Sequence, residues 1–241
     1  MKFKKSRVFL SVVVPAYNEE KRFGPVLKPV VHYLDKNYPN YELIIVNDGS
    51  KDKTEQVVRE AIVGLPKVQL VSYSPNHGKG YAIRTGVAKT SGELVLFMDA
   101  DLSTPLTEIP KIIKILQDGN DVVIGSRGDG DNVKKNAPIF RRLASFVFDQ
   151  IKFFMVGLRE FKDTQCGFKI YKGDVARRLF AKGKIDRFMF DSEILYLAQK
   201  YKYKIAEIPV IWADVEGSHV RFWEGIVNMF RDLWSIRRLH G

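Results

Sequence analysis

The sequence predicts an α/β protein with a mostly parallel sheet and helices on both of its faces. Short runs of Val, Leu, Ile and Phe alternate along the chain with stretches whose apolar residues recur at helical spacing. The strand runs are continuously apolar, which is typical of strands that are covered on both faces. The connections between them are short, as in successive βα and αβ units. Together these features predict a Rossmann-like sheet, and a chain of 241 residues can bury one sizeable core.

The elements follow in order up to residue 127. Strands are predicted at residues 8–14, 41–46, 68–73, 93–98 and 121–124, and helices at 26–35, 78–87 and 106–116. A further helix follows Asp52, a suitable N-cap with Glu55 three residues later. Beyond residue 127 the alternation is expected to end, and aromatic, basic helical stretches dominate. We therefore divide a single predicted domain, 1–241, into halves 1–127 and 128–241.

The charge balance narrows the classes of partner. The chain has 39 Lys and Arg against 28 Asp and Glu, a net charge of +11, which favours an anionic partner such as a nucleotide, a nucleic acid or an anionic lipid. No recognisable nucleic-acid-binding motif is present, so a nucleic-acid partner is not predicted. Cys166 is the single cysteine, which excludes a disulfide framework within the chain. No apolar run approaches the ~18 residues of a membrane span, which predicts a soluble or peripheral protein.

Two carboxylates stand directly after the fourth predicted strand, at Asp99 and Asp101. In parallel sheets, ligands bind outside the carboxyl ends of the strands. Two acids this close repel each other unless a cation or a hydrogen-bond donor lies between them. Oxygen ligands of this kind suit Mg²⁺ or Mn²⁺, which commonly also hold substrate phosphates. We therefore predict a metal–diphosphate site with Asp101 and Asp99 as metal ligands; the alternative is a turn that Asp caps at the end of a strand.

Other strands are predicted to end in similar chemistry. The first is followed by Tyr17 and Glu19, and the second by Asp48, so four carboxylates would meet at one edge of the sheet. A nucleotide sugar would offset their repulsion, because its base and ribose donate hydrogen bonds and its diphosphate brings a cation. Gly49 permits a tight turn, and Gly-Lys-Gly around Lys79 offers backbone N–H groups and a cation to an anion. The glycine spacing is not that of a dinucleotide-binding fingerprint.

These motifs resemble a known family. Pro-Ala-Tyr-Asn-Glu at 15–19, Asn-Asp-Gly-Ser-x-Asp-x-Thr at 47–54, Gly-Lys-Gly at 78–80 and Asp-Ala-Asp at 99–101 resemble the family 2 inverting glycosyltransferases, which have a GT-A fold. The segments 163–169, 190–195, 208–212 and 217–218 are similar to those of the dolichyl-phosphate β-glucosyltransferase branch, among the polyprenyl-phosphate glycosyltransferases. The resemblance covers roughly residues 8–235 and implies that the half 1–127 binds a nucleotide sugar while the half 128–241 faces acceptor and membrane.

The resemblance also implies roles for individual residues. The nucleoside would be held by Pro15, Tyr17, Glu19 and Asp48. Asp99 would touch the ribose or the sugar, Asp101 would bind the metal, Arg127 would meet phosphate or sugar, and Asp191 would lie on the acceptor side. The predicted catalytic residues are thus Asp101, Asp191 and Arg127. The remaining predicted substrate-binding residues are Ala16, Gly49, Lys79, Ala100, Ser103, Lys169, Ser218 and His219.

The reaction implied is transfer of glucose from UDP-glucose to a polyprenyl or dolichyl phosphate, with inversion and with Mg²⁺ or Mn²⁺. An acceptor phosphate is largely dianionic at neutral pH, since its second pKa is near ~6, so Asp191 would orient the acceptor rather than deprotonate it. Alternatives keep the fold but use UDP-N-acetylglucosamine or GDP-mannose, or a saccharide hydroxyl that needs a true base. Two others are a nucleotide-sugar sensor without activity and a basic nucleic-acid-binding protein.

Two amphipathic segments, 138–158 and 220–239, combine Phe and Trp with Arg and Lys. Helices of this composition lie in the membrane interface. We therefore predict a peripheral protein at the cytoplasmic, inner face of the membrane. The alternative is that these helices pack on the sheet or form the face of a homodimer.

Overall fold

In the computed structural model, the described residues are 8–127, 156–213 and 222–241, without the side chains of 222–230. The first half contains β1 (Leu10–Ala16), α1 (Glu20–Asn37), β2 (Tyr41–Asp48), α2 (Thr54–Ala61), β3 (Val68–Tyr73), α3 (Lys79–Val87), β4 (Leu94–Met98), a 3₁₀ turn (Leu106–Glu108), α4 (Ile109–Gln117) and β5 (Val122–Ser126). The second half adds β6 (Phe168–Lys172), α5 (Gly173–Lys182), α6 (Phe190–Lys200), β7 (Ile205–Pro209) and α7 (Phe222–His240).

One seven-stranded sheet joins both halves, in the order β3-β2-β1-β4-β6-β5-β7. All described strand pairs are parallel except those of β6, which runs antiparallel to β4 and to β5. The expected mostly parallel α/β sheet is confirmed. The expectation that strand–helix alternation ends at residue 127 is wrong, because β6, α5, α6 and β7 extend the same layers.

The core lies on both faces of the sheet. Along β4 the side chains alternate, so that Leu96 lies in the core on the face covered by α1, α2 and α4, while Phe97 lies in the core on the face covered by α3, α5, α6 and α7. Both faces of the sheet are therefore shielded from water at β4, which explains why this strand is apolar throughout. No helix among the described ranges is long and apolar enough to cross a bilayer.

The register aligns the strand ends that carry the predicted site. Val13 of β1 pairs with Ile44 of β2 and with Phe97 of β4, so the carboxyl ends of these strands meet at one edge. Because β6 is antiparallel, its first residues reach that same edge, where Phe168 pairs with Met98. We call this edge the rim; it carries the residues that follow β1, β2, β4 and β5 and those that precede β6.

Helix boundaries differ from the predicted ones mainly at α1. This helix begins at Glu20 rather than 26, and it includes Pro25 and Pro29. A residue outside the helix holds the start of α1, because the Glu20 N–H donates to Asp52 Oδ2 at 3.2 Å. Asp52 was predicted to be the N-cap of α2, but the N-cap is Lys53; Asp52 stands one residue earlier and accepts the Thr54 N–H at 2.9 Å.

Candidate active site

Asp99 and Asp101 lie at the rim as predicted, but they are held differently. Asp99 Oδ1 is 2.6 Å from Lys79 Nζ, so its charge already has a cationic partner. The backbone of Asp99 is pinned to β6, since its N–H donates to Gly167 O at 3.1 Å. A Cβ at position 167 would lie 1.9 Å from Asp99 Oδ2, which explains the glycine there. Burial opposes the charge of Lys79, but Asp99 and Asp191 more than offset this and raise the pKa of Lys79.

Asp101 forms a turn with Ser103. Its Oδ1 accepts the Ser103 N–H at 2.9 Å and the Ser103 hydroxyl at 2.5 Å, while Leu102 between them has a positive φ of 54°. This is an Asx-type turn, in which a carboxylate satisfies the backbone two residues later. The turn fixes where Asp101 points and occupies one of its oxygens. Ser103 therefore supports Asp101, a role that was not predicted from the sequence.

Asp48 is buried at the end of β2 and anchors the loop before α3. Its carboxylate accepts hydrogen bonds from Asn76 Nδ2 at 2.7 Å and from the N–H groups of His77 and Gly78 at 2.8 and 2.9 Å. A carboxylate has about four acceptor positions, so contact with a nucleoside remains compatible with this role. Gly49 follows with φ +62°, where a Cβ would meet the Asn76 N at 2.4 Å.

The loop after β1 is fastened to the loop after β2. Tyr17, at its tip, is 42% exposed and is free to meet a ligand ring. The fastening is a set of backbone and side-chain hydrogen bonds across the two loops. They are Asn18 N to Ser50 Oγ (3.0 Å), Lys51 N to Asn18 Oδ1 (2.9 Å), Glu19 N to Thr54 Oγ1 (2.7 Å) and Lys53 N to Glu20 Oε2 (2.9 Å). The predicted nucleoside residues Pro15, Ala16, Tyr17, Glu19, Asp48 and Gly49 therefore share one cross-linked corner of the rim.

Asp191 and Lys169 form a buried ion pair. Lys169 Nζ lies 2.5 Å from Asp191 Oδ1 and 2.7 Å from Cys166 O, and the two side chains are 0% and 4% exposed. Burial raises the pKa of Asp191, while the ammonium groups of Lys169 and Lys79 pull it back. Lys169 was predicted to bind substrate. The structure instead places it behind Asp191, where its ammonium already has two partners and no exposed surface.

Arg127 follows β5 and is bound by Asp163, which precedes β6. Its Nε and Nη2 donate to the two Asp163 oxygens at 2.7 and 2.9 Å. Burial alone would raise the pKa of Asp163, but the Arg127 guanidinium holds it at about 2. Arg127 is 42% exposed and lies over the Trp212 ring, 5.7 Å from its centroid. Trp212 lies beyond the end of β7, and the guanidinium keeps an open side at the rim.

Some predicted residues fall outside the described residues. These are Ser218, His219 and most of the amphipathic segment 138–158. Of that segment, Val156 and Leu158 are described, and both are buried in the core on the α3 side of the sheet.

Sequence reasoning missed the internal partners of the site. Asp163 was recognised only as a member of a motif and Lys169 only as a substrate-binding residue, and nothing in their spacing pointed to Arg127 or to Asp191. Glu193 was missed as well; it is fully buried on α6, where it accepts the N–H groups of Lys184 and Ile185. A charged residue directly before the apolar run 194–198 was the available signal.

Comparisons with known proteins agree with this architecture. The family model of Glycosyl transferase family 2 matches residues 11–180. Human dolichyl-phosphate beta-glucosyltransferase is 38% identical over 244 residues, covering 95% of this chain and 74% of the human protein. A dolichyl-phosphate beta-glucosyltransferase of Trichomonas vaginalis is 37% identical over 249 residues, covering 99% of this chain and 76% of its own length.

Solved structures share the fold at lower identity. Glucosyl-3-phosphoglycerate synthase from Mycobacterium tuberculosis, in complex with Mn²⁺, UDP and phosphoglyceric acid, superposes with a TM-score of 0.66 at 18% identity, covering 97% of this chain and 79% of that one. Mannosyl-3-phosphoglycerate synthase from Rubrobacter xylanophilus gives a TM-score of 0.69 at 18% identity, covering 96% and 74%. The predicted GT-A fold is confirmed. With its sheet, its rim motifs and these relatives, the chain is a glycosyltransferase that belongs to glycosyl transferase family 2.

Proposed function

We propose that this protein transfers glucose from UDP-glucose to a polyprenyl or dolichyl phosphate, with inversion at the sugar. The observation that carries the proposal is the gathering of Asp99, Asp101 and Lys79 at the rim, opposite the corner formed by Tyr17 and Asp48. The relatives at 37–38% identity are named dolichyl-phosphate beta-glucosyltransferases, which supports glucose and a lipid phosphate as the two substrates.

In this proposal, the donor lies across the rim. The exposed Tyr17 ring packs on the base, Asp48 accepts a hydrogen bond from it, and Asp99 lies toward the ribose or the sugar. Lys79 is the first residue of α3 and lies between Gly78 and Gly80 in the chain, at a helix N-terminus that favours an anion. Its positive charge would be shared between Asp99 and the donor diphosphate, which binds the cation more strongly than a single carboxylate.

A divalent cation fits the donor set of Asp101. Carboxylate oxygens are hard ligands, and Mg²⁺ is commonly bound through one or two carboxylates plus substrate phosphates. Among the described residues, no three His, Cys, Asp or Glu side chains converge as a metal cage, which agrees with a cation shared with the substrate. Asp99 is the weaker of the two predicted ligands, since the Lys79 ammonium already balances its charge, whereas the partner of Asp101 is the neutral Ser103. When bound, Mg²⁺ or Mn²⁺ would supply a Lewis acid that neutralises charge on the leaving diphosphate.

The acceptor side calls for orientation rather than for a base. A phosphate monoester is largely dianionic at neutral pH, because its second pKa is near ~6, and its oxygen can attack the sugar carbon directly. Asp191 is 4% exposed and paired with Lys169, which suits a group that fixes its surroundings. Arg127, which is held by Asp163 and open on one side, would bind a phosphate oxygen.

The outer face of α7 is our candidate for membrane contact. Leu233 and Ile236 are buried against the core, while Trp234 is 60% exposed with the Arg238 guanidinium 5.9 Å from its ring. An amphipathic basic helix with an outward Trp suits the interface of an anionic membrane, which supports a peripheral place at its cytoplasmic face. In liposome flotation, Trp234→Ala should lower binding, whereas Val63→Ser, on the opposite face of the sheet, should not. A homodimer through this face would instead appear as concentration-dependent association without lipid.

The test of the reaction uses purified protein, UDP-glucose, Mg²⁺ and a polyprenyl phosphate. Wild type should form the polyprenyl-phosphate glucose, and UDP-N-acetylglucosamine and GDP-mannose should be poorer donors. Asp101→Ala should lower turnover by about 10²-fold or more. Asp118→Ala, an exposed aspartate at the end of α4, is the matched control and should retain activity. Turnover in Asp101→Ala equal to that of wild type would remove the metal site from the proposal.

A further inference from the structure

We propose that His240, at the end of α7, is a positioning residue for the donor site and that it acts through the buried carboxylate of Glu193. His240 Nε2 lies 2.6 Å from Glu193 Oε1, and the side chains are 8% and 0% exposed. A ring N–H that donates to a carboxylate at this distance makes a charge-assisted hydrogen bond, stronger than a neutral one. The two residues are 47 positions apart, so this contact fixes α7 to α6.

Glu193 in turn holds the segment between α5 and α6. Its two oxygens accept the Lys184 N–H at 2.8 and 3.0 Å, and Oε2 accepts the Ile185 N–H at 2.9 Å. A buried carboxylate needs its donors, and each donor that is lost raises the cost of keeping the charge inside. Without His240, the carboxylate would turn toward water or toward other donors. Its hold on both backbone N–H groups would then weaken.

This segment packs directly against the start of α3. Asp186 O accepts the Tyr81 N–H at 3.1 Å, and the Asp186 carboxylate pairs with Arg84. Cβ atoms at Gly78 and Gly80 would lie 2.6 Å from Asp186 O and 2.5 Å from Ile185 O. The two backbones are therefore in direct contact, which only glycine at these positions allows.

Lys79 stands between these two glycines, and its ammonium lies 2.6 Å from Asp99. If the 184–187 segment shifted, the first turn of α3 would therefore shift with it, and Lys79 would move relative to Asp99. Glu193 is also two residues after Asp191, in the same first turn of α6, so the same contact fixes the buried pair of Asp191 and Lys169. His240 therefore affects the positions of both Lys79 and Asp191 without touching substrate.

Hydrogen exchange of the full chain tests the inference without any substrate. In His240→Ala, exchange in peptides covering 78–87 and 183–190 should rise about fivefold relative to peptides of β1 and β2, since local opening there becomes easier. His240→Gln, whose amide can still donate to Glu193, should return the ratio to within about twofold of wild type. If His240→Ala does not fold, His240→Asn, whose amide is too short to reach, takes its place.

Ile236→Ala is the matched control, because it removes buried packing from the same helix and leaves the His240–Glu193 contact in place. It should loosen α7 without changing the exchange ratio at 78–87. The inference is overturned if Ile236→Ala raises that ratio as much as His240→Ala does, or if His240→Ala leaves it unchanged.

A second readout rests on the proposed glucosyl transfer. His240→Ala should lower kcat about tenfold while KM for the polyprenyl phosphate stays constant, because misplaced donor groups slow the chemical step more than they weaken acceptor binding. His240→Gln should recover most of kcat, and Ile236→Ala should retain it. If wild type shows no turnover with UDP-glucose, the proposed function fails, but the exchange experiment still decides the role of His240.

Discussion

The buried pair of Lys169 and Asp191 makes a quantitative prediction about stability. In Lys169→Met the side chain keeps an unbranched apolar stem, one atom shorter than that of lysine, but loses the charge that faces Asp191 at 2.5 Å. Breaking a buried ion pair from one side typically costs about 3–5 kcal/mol, because a charge is left behind without compensation. Lys79 also acts on Asp191 and offsets part of this. We therefore expect the free energy of unfolding to fall by about 3 kcal/mol.

Removing both charges should cost much less than the two single changes together. A double variant, Lys169→Met with Asp191→Leu, replaces the pair by apolar side chains, and such replacements are often close to neutral. The assay is equilibrium urea unfolding of wild type, both single variants and the double variant, followed by circular dichroism. We expect a coupling energy of about 2–4 kcal/mol between the two sites. Single changes that cost under about 1 kcal/mol, or costs that simply add in the double variant, would refute the reasoning.

The same variant should respond to pH in a defined direction. Burial raises the pKa of Asp191, and loss of Lys169 should raise it further. An acid whose pKa is higher in the folded state than in the unfolded state destabilises the fold when it is ionised. That penalty is absent below the unfolded value of about 3.9 and grows as pH rises through the folded pKa. The deficit of Lys169→Met should thus shrink as pH is lowered from 8 towards 5, and a deficit that grows would contradict this.

Four further predictions concern the rim. The pKa of Asp163 is about 2 beside Arg127, so this pair should add roughly 1–2 kcal/mol of stability above pH ~4, after allowance for exposure of the guanidinium. That contribution should fade between pH ~4 and ~2 in acid unfolding of wild type, but not of Asp163→Asn. Lys79→Met should weaken UDP binding about tenfold by calorimetry, and unchanged affinity would exclude its contact with the diphosphate. Gly49→Ala should cost about 1–3 kcal/mol in urea unfolding because its φ is +62° and its Cβ would strike backbone, whereas a neutral effect would mean that the turn relaxes. EDTA should abolish transfer while leaving Tm within about 1 °C; a large fall in Tm would show a structural metal.

The sequence predicted the strands that are apolar and flanked by turn residues. Strand β3 was placed at its observed bounds, Val68–Tyr73, and β4 differs by one residue. Strand β6 was missed because its five residues include Lys169 and Lys172, and a buried lysine breaks the pattern by which strands are recognised. Its reversed direction also has no signature in the local sequence, although it is what brings Gly167 to the rim.

The residues of the site also fall into two groups, those whose position could be predicted from the sequence and those whose position could not. Residues that follow successive parallel strands could be placed together by topology alone, which is why the corner of Tyr17 and Asp48 and the rim position of Asp99 were predicted. Pairs formed across long separations could not be. Arg127 and Asp163 are 36 positions apart, and Lys169 and Asp191 are 22 apart. No spacing rule for helices or strands links such positions, so only the folded chain reveals them.

These pairs also change how the charge of the rim is understood. Four converging carboxylates were expected to depend on a bound ligand to offset their repulsion. The structure provides compensation within the chain for all four acids, beginning with Glu19, whose Oε2 lies 3.4 Å from Arg22 Nε. Asp48 receives backbone and amide N–H groups, Asp99 receives Lys79, and Asp101 receives Ser103.

Because its acids already have partners, the rim is arranged before substrate binds. Such preorganisation makes fixed charges effective in catalysis, because the protein needs little reorganisation when charge develops in the transition state. It also implies an exchange of partners on binding. Lys79 is paired with a partly exposed acid, 33% exposed at Asp99, whereas Lys169 is fully buried. Because an ion pair of that exposure is weak, a donor diphosphate can draw Lys79 from Asp99 at small cost. The carboxylate so released would stand beside the sugar at the moment when positive charge develops there.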